Sequence, residues 1–437
     1  MESKTLRPAA GFAGAVEVPG DKSISHRAVI LGALSNRVCT VDNFLVAEDC
    51  LCTVEAFRQM GISIDRQDRH LQIRGAGLEG LKAPKQPVEC GNSGTTTRLL
   101  MGVLTGQPFE VRLQGDASLS RRPMDRVIEP LSKMGAFFLD EQGARLPAGR
   151  QAHLPLRMVG TRNVKPLQWK SPVASAQVKS AILLAGLYAS GPTEVSEPSL
   201  SRDHTERMLK ASGVSLERSG SRVVVHGTAT VRANSFKVPG DLSSAAFLLA
   251  AALLRGNSEV TVRGVGVNPT RTGFVDIVKA MGGICRFDST TEWSGEPVAD
   301  ISVKRSALTG TTISGESIPR AIDEIPILAV LATQARGQTV ISDAQELRLK
   351  ESDRLKAVTQ ELTKMGARIV EKSDGLIIDG PTALKGAVVK SYGDHRLAMS
   401  LAVAALAAEG ETVIEDVACV ATSFPTFWNL WDQLRTS

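Results

Sequence analysis

Lys22, Ser23 and Arg27 fall within one short stretch, VPGDKSISHRAVILGAL, from Val18 to Leu34. The run reads as an extended segment ended by Pro19-Gly20, a cap at Asp21 or Ser23, and then a helix of small and aliphatic residues. Gly20 permits backbone geometry that other residues resist, and Asp or Ser side chains satisfy the free amides of a first helical turn. Open N–H groups and the helix dipole favour an anion at such a terminus, so Lys and Arg there suit a phosphate or a carboxylate. Taken alone, the stretch fits the solvated start of an ordinary helix equally well. Its recurrence changes the balance.

The segment VPGDLSSAAFLLAAALL, from Val238 to Leu254, has the same opening and the same kind of helix. Related segments begin at Gly91 (GNSGTTTRLLMGVLTG), Ala174 (ASAQVKSAILLAGLYASG), Asp323 (DEIPILAVLATQARG) and Gly393 (GDHRLAMSLAVAALAAEG), each followed by a short β-like run. Helices apolar nearly all round must be interior. A second helix ends in Met-Gly or Ser-Gly punctuation at Gly61, Gly135, Gly213, Gly283 and Gly366, with Gly as the expected C-terminal cap. In four units that glycine follows the start of the first helix by about 43 residues. The pattern predicts six α/β units of helix, strand, helix and strands. They divide as three plus three into two similar lobes, 21–239 and 240–437, with crossovers near 18–21 and 238–241. Buried helices would lie inside sheets, with many helix N-termini aimed at one cleft.

Residues beside those N-termini carry the chemistry. The first helices offer Lys22, Ser23 and Arg27; Asn92, Ser93, Gly94 and Thr95; Ser175 and Gln177; Asp323 and Glu324; and Asp394, His395 and Arg396. The second helices offer Asp49; Arg121, Arg122 and Arg126; Arg202, Asp203 and His204; Arg271; and Lys350, Glu351 and Arg354. Guanidinium groups match carboxylate and phosphate geometry two bonds at a time. So many cations in one place call for multiply charged anionic ligands. A proton-transfer reaction there also needs a carboxylate, and Asp323 and Glu351 are the candidates. Capping or ion pairing is the commoner role for any single acid at a helix start.

Composition narrows the classes. The chain has 437 residues, 43% hydrophobic and 22% charged, with a net charge of +5, which suits a globular protein of more than one domain. Its Lys and Arg are dispersed and aromatics make up only 4%, so small anions fit better than a nucleic acid. No apolar run reaches the length of a membrane span. The opening MESKTLRPAAGFAGAVEV has no secretory h-region, and Cys39, Cys50, Cys52, Cys90, Cys285 and Cys419 form no CxxC or zinc pattern. Buried, reduced thiols in the cytoplasm are expected. The GNSGTTTR turn lacks the Gly-Lys-Ser/Thr ending of a Walker A loop. His70, His153 and His226 stand in unrelated contexts and are expected to be surface or packing residues.

The set GDKSISHR (20–27), GNSGTTTR (91–98), RRPMDRV (121–127), ASAQVKSA (174–181), SRDHTERML (201–209), NPTR (268–271), IDEIPILA (322–329), KESDRL (350–355), DHRLAMS (394–400) and TSFP (422–425) resembles the 5-enolpyruvylshikimate-3-phosphate (EPSP) synthase family. The motifs occur in the family's order over nearly the whole chain. The resemblance implies the enolpyruvyl transferase fold: two lobes, each of three βαβαββ units, with a cleft between them. It also implies that residues 1–20 complete the C-terminal lobe.

Such an enzyme moves the enolpyruvyl group of phosphoenolpyruvate onto the 5-hydroxyl of shikimate 3-phosphate, on the route to chorismate and the aromatic amino acids. The implied reaction is addition and elimination through a tetrahedral intermediate, with no metal or organic cofactor. By the same resemblance, Lys22, Ser23, Arg27, Ser175, Ala176, Gln177, Arg202, Asp323 and Lys350 would hold shikimate 3-phosphate. Lys22, Gly94, Arg122, Gln177, Arg354 and Arg396 would hold phosphoenolpyruvate. Asp323 would take the proton of the attacking hydroxyl, and Glu351, with Lys22 nearby, would manage the proton at the methylene carbon. The expected partners are these two small molecules, with no nucleic acid and no membrane, and the expected state is a monomer.

Several motifs, RPMDR, SRDHTE and DKSISHR among them, resemble the branch that includes glyphosate-tolerant bacterial enzymes. Thr422 stands where another branch has Lys at the phosphoenolpyruvate end. Gly94 carries no methyl to exclude a longer inhibitor, so glyphosate is expected to enter. Two rivals differ in testable features. UDP-N-acetylglucosamine enolpyruvyl transferases carry a Cys ahead of the Arg-Pro pair, where LQGDASLSRRP has none and places Asp116. A nucleic-acid-binding scaffold, like RNA-terminal-cyclase-like folds, would not require Asp323 and Glu351 among cations, and its binding would weaken steeply with salt.

Overall fold

The computed structural model describes residues 2–146, 151–227, 230–256 and 258–436. The chain divides into two units. One comprises Gly20–Val238 with Trp293–Glu296, and the other comprises Met1–Pro19, Pro239–Glu292 and Pro297–Ser437. We call them the N-terminal and C-terminal units. Each has its own hydrophobic core.

The N-terminal unit contains α1 (Lys22–Leu34), α2 (Glu48–Gln59), α3 (Gly94–Leu104), α4 (Asp125–Lys133), α5 (Ala176–Gly186) and α6 (His204–Ala211). Helices α1, α3 and α5 are the small-residue helices, buried along most of their length. Each fully buried aliphatic side chain contributes roughly 1.5–3 kcal/mol. Three four-stranded sheets complete the unit. In two of them, two strands joined through a buried helix run parallel, and in all three, two more strands follow the second helix antiparallel. The first sheet takes its outer strand from far along the chain, Ser235–Lys237, parallel to Val38–Asp42.

The C-terminal unit contains α7 (Leu242–Leu254), α8 (Gly273–Ala280), α9 (Ser317–Ala321), α10 (Ile325–Gln334), α11 (Arg354–Lys364), α12 (His395–Ala407) and α13 (Phe427–Leu434). Here α7, α10 and α12 form the buried set and pack on one another. The first residues of the chain supply a strand to each of two larger sheets. Gly14–Glu17 runs parallel to Glu259–Gly266, and Ser3–Leu6 runs antiparallel to Thr412–Glu415. The last repeat closes on that borrowed strand and on α13, whose Trp431 is almost wholly buried beside Phe12 and Phe427.

Two glycines take a role other than the one their sequence context suggested. Gly20 needs no unusual φ; a Cβ there would lie 2.0 Å from the Asn43 carbonyl oxygen, so close approach is what demands glycine. At the end of α8 the left-handed cap is Gly282, with φ +87°, and not Gly283. The other predicted caps, Gly61, Gly135, Gly213 and Gly366, all have positive φ.

Candidate active site

Caps set the helix starts. Asp21 accepts from the Ile24 amide (2.9 Å), Ser93 from Thr96 and Ser175 from Val178. In the other unit Asp241 accepts from Ser243 and Asp394 from Arg396. Asp323 sits in a 3-10 turn, Ile322–Glu324, ahead of α10.

In the N-terminal unit the first turns of five helices meet through side chains. Arg27 on α1 donates from Nε to Thr205 Oγ1 and from Nη2 to Ser180 Oγ, each at 2.7 Å, and from Nη1 to the Ser23 carbonyl at 2.9 Å. Burial pulls its pKa down to about 10, partly offset by the charge of Glu206, so it stays cationic at neutral pH. Lys22 is paired with the buried Asp49 of α2. His26 lies behind it with Nδ1 2.7 Å from Thr53 Oγ1, and Thr53 continues to Thr96 of α3 at 2.7 Å. Burial first, then the charges of Lys22 and Arg27, hold His26 well below its ordinary 6.5, so this imidazole is neutral.

Gln177 of α5 donates from Nε2 to Thr95 (3.0 Å) and accepts from Arg98 Nη1 (3.0 Å). Arg122 reaches the Asn92 side chain and carbonyl and Ser118 Oγ. Gly94 lies against both arginines: a Cβ there would sit 2.5 Å from Arg98 Nη1 and 3.6 Å from Arg122 Nη1. Ser175 and Ala176 begin α5, and half-buried Arg202 lies between Ser201 and Asp203 just ahead of α6. Arg121 and Arg126 are exposed.

The C-terminal unit gathers arginines and acids. Arg354 is 1% exposed and bonds three carboxylates: Asp394 at 2.8 Å, Glu351 at 2.6 Å and Asp323 at 3.4 Å. Burial opposes its charge, yet Asp394, Glu351 and Asp323 outweigh that and raise its pKa above the ordinary value. Asp394 shows the mirror effect, with burial pushing it up and Arg354 pulling it down to a net lowering. Arg396 Nη2 lies 3.6 Å from Asp323, and its Nη1 lies 3.9 Å from Glu324. Buried Glu324 also bonds Ser243 and stands 3.9 Å from Arg271. Lys350 follows the 3-10 turn Gln345–Leu349 and adjoins Glu351. Thr422 directs its hydroxyl to the Cys419 carbonyl of its own turn.

Thus Lys22, Ser23, Arg27, Gly94, Arg122, Ser175, Ala176, Gln177 and Arg202 lie in the N-terminal unit. Asp323, Lys350, Glu351, Arg354 and Arg396 lie in the C-terminal unit, where Asp323, Glu351, Arg354 and Arg396 are joined by ion pairs. Sequence reasoning passed over Ser180 and Thr205, which hold Arg27, and Lys179 between them. A lone Lys in the apolar run VKSAILLAG was the available signal, because buried lysines need partners. The thiols are less uniformly buried than expected. Cys39, Cys50 and Cys90 are buried, while Cys52, Cys285 and Cys419 are only partly so, and none of the six is in a disulfide. His70 and His226 pair with Asp42 and Glu217. Among the described residues no helix is long and apolar enough to cross a membrane.

A family model described as EPSP synthase (3-phosphoshikimate 1-carboxyvinyltransferase) matches residues 6–431. The 3-phosphoshikimate 1-carboxyvinyltransferase of Desulforamulus reducens is 52% identical over 423 residues, 97% of this chain and 97% of its own. That of Citrifermentans bemidjiense is 51% identical over 430 residues, 98% of each. Among solved structures, EPSP synthase from Acinetobacter baumannii superposes with a TM-score of 0.88 at 41% identity, covering 100% of this chain and 98% of that one. The enolpyruvyl transferase NikO from Streptomyces tendae superposes at 0.79 with 18% identity, over 98% of this chain and 96% of that one, a likeness of fold alone.

Proposed function

Since the chain belongs to the EPSP synthase family, we propose that it is a 3-phosphoshikimate 1-carboxyvinyltransferase. It transfers the enolpyruvyl group of phosphoenolpyruvate to the 5-hydroxyl of shikimate 3-phosphate and releases phosphate, a step in aromatic amino-acid biosynthesis. The hydroxyl oxygen bonds to the enol carbon while the methylene carbon gains a proton. Phosphate then leaves and the new methyl gives a proton back, restoring the double bond.

The observation that carries the chemistry is the placing of Asp323 and Glu351 together on Arg354, with Arg396 also beside Asp323. An alkene adds an alcohol only if a base takes the hydroxyl proton and an acid serves the carbon, with the anionic groups clamped in place. Asp323 is the base in this reading and Glu351, with Lys22, the acid at the methylene carbon. Arg122, Gln177, Arg354, Arg396, Lys22 and the Gly94 turn bind phosphoenolpyruvate. Lys22, Ser23, Arg27, Ser175, Ala176, Gln177, Arg202, Asp323 and Lys350 bind shikimate 3-phosphate. Holding both substrates at once supplies the entropic part of the rate.

We read the protein as a cytoplasmic monomer. Six thiols, none in a disulfide, suit a reducing compartment, and sedimentation of the purified chain tests the monomer. The functional test is phosphate release from phosphoenolpyruvate, with and without shikimate 3-phosphate, in wild type and Asp323→Ala. Release that needs both substrates and falls by about 10²–10⁴ in the variant is expected. Release independent of shikimate 3-phosphate would point to another acceptor, with UDP-N-acetylglucosamine tried next.

A further inference from the structure

We propose that Lys179, Glu197 and Glu206 form a buried positioning group that holds Ser175, Arg27 and Arg202 in place for the phosphate end of shikimate 3-phosphate. The inference rests on the functional reading above and concerns residues outside the direct ligand set.

Lys179 lies on α5 with its side chain 1% exposed. Its ammonium is ion-paired with Glu197 Oε2 at 2.9 Å and Glu206 Oε1 at 2.8 Å and lies 3.4 Å from the Ser201 carbonyl. Both carboxylates are as buried as the ammonium. An isolated charge could not persist there, and the set carries two negative charges against one positive.

Glu197 reaches outward from this centre. Its Oε1 accepts from the Ser175 amide at 2.8 Å, the first turn of α5. Its two carboxylate oxygens lie 2.8 and 2.6 Å from Ser201 Oγ, the residue before Arg202. Ser221 braces the Glu197 backbone, with its hydroxyl 2.7 Å from the Glu197 carbonyl. One carboxylate therefore fixes both the helix start at Ser175 and the loop that carries Arg202.

Glu206 acts on the third group. Its neighbour Thr205 and the neighbour of Lys179, Ser180, lie 2.6 Å apart and together hold Arg27. The Lys179–Glu206 pair thus locks α5 to α6 at the level where Arg27 is gripped. Glu206 is also the leading carboxylate that sustains the charge of the buried Arg27.

Stability alone is a poor account of such a set, because apolar side chains of similar volume often replace a buried ion group without loss. An apolar residue at 179 would fill the space. It would not hold Glu197 on Ser175 and Ser201.

The test measures kcat and both KM values by phosphate release, with shikimate 3-phosphate binding by calorimetry, in Lys179→Met, Glu197→Ala and Glu197→Gln. Thermal melts and circular dichroism identify the folded variants. We expect KM for shikimate 3-phosphate to rise about tenfold in Lys179→Met and Glu197→Ala, the order for loss of a bond to a charged group. KM for phosphoenolpyruvate should stay within about twofold of wild type. Glu197→Gln keeps an acceptor for the Ser175 amide and should recover most of the loss, and it serves if Lys179→Met does not fold. An unchanged KM for shikimate 3-phosphate in a folded variant, or equal rises in both KM values, would overturn the positioning role. Wild-type protein inert toward both substrates would instead overturn the functional reading, and this role with it.

Discussion

The two units use one repeat to build polar clusters of opposite character. In the N-terminal unit Arg27, Arg98 and Arg122 donate to hydroxyls, side-chain amides and carbonyls, which are neutral acceptors. In the C-terminal unit Arg354 and Arg396 are laced to Asp323, Glu324, Glu351 and Asp394. Neutral acceptors orient a guanidinium without cancelling its charge, which suits the capture of an anion. Carboxylates cancel the charge and put proton acceptors beside it, which suits proton transfer. In the proposed reading, the N-terminal unit supplies cations for the anions, and the C-terminal unit adds proton acceptors beside its own arginines.

Removing one arginine from each cluster should break this contrast most sharply. Arg354→Met leaves Asp394 buried with its main counter-charge gone, and loss of one partner of a buried pair costs roughly 3–5 kcal/mol. Arg27→Met leaves Ser180 and Thr205, which already bond each other at 2.6 Å, so a loss of about 1–3 kcal/mol is expected. Denaturant unfolding of the two variants measures the difference. Equal losses would mean that the neutral acceptors around Arg27 are as costly to strand as carboxylates.

The contrast also sets the pH limits of stability. Asp394 has a folded pKa below its ordinary 3.8, so its contribution is complete above that value and is lost as pH falls through the folded one. His26, held below 6.5, adds an acid-side loss that begins once an unfolded imidazole would be protonated. Lys179 runs the other way. Burial opposes its charge, but Glu206 and Glu197 raise it above 10.5, so its contribution is complete below 10.5 and is lost as pH climbs through the folded value. Melting midpoints across pH should show a flatter acid limb in Asp394→Asn and a flatter alkaline limb in Lys179→Met. Identical limbs in variant and wild type would remove these groups from the account.

Much of this arrangement was legible in the sequence, for local reasons. Asp21, Ser93, Ser175, Asp241 and Asp394 each precede a run of small apolar residues, and capping is decided within one helical turn. The repeat itself shows in the spacing of Met-Gly and Ser-Gly ends. What stayed hidden depends on distant chain. Gly20 is required by the Asn43 carbonyl, and the pairing of Lys179 with Glu197 and Glu206 arises only when α5 and α6 pack. Asp323 read as a helix-start acid, but its meaning comes from Arg354 and Arg396, two helices away. The motif resemblance named those residues; the geometry supplies the reason.

The smallest expected effect sharpens the comparison within the N-terminal unit alone. A Cβ at Gly94 would lie 2.5 Å from Arg98 Nη1, the flexible end of a side chain that can swing aside. Arg98 Nη1 also bonds Gln177, so Gly94→Ala should loosen Gln177 while leaving the neutral grip on Arg27 intact. KM for phosphoenolpyruvate, which meets both the Gly94 turn and Gln177 in the proposed reading, should rise about threefold to tenfold, and KM for shikimate 3-phosphate, which shares Gln177 alone, should rise less. We expect glyphosate to inhibit the wild type and to lose more affinity than phosphoenolpyruvate in the variant, because a longer ligand meets the added methyl. Inhibition unchanged by Gly94→Ala would place glyphosate away from this turn. Equal rises in both KM values would mean that the anion sites of the N-terminal unit are one coupled surface.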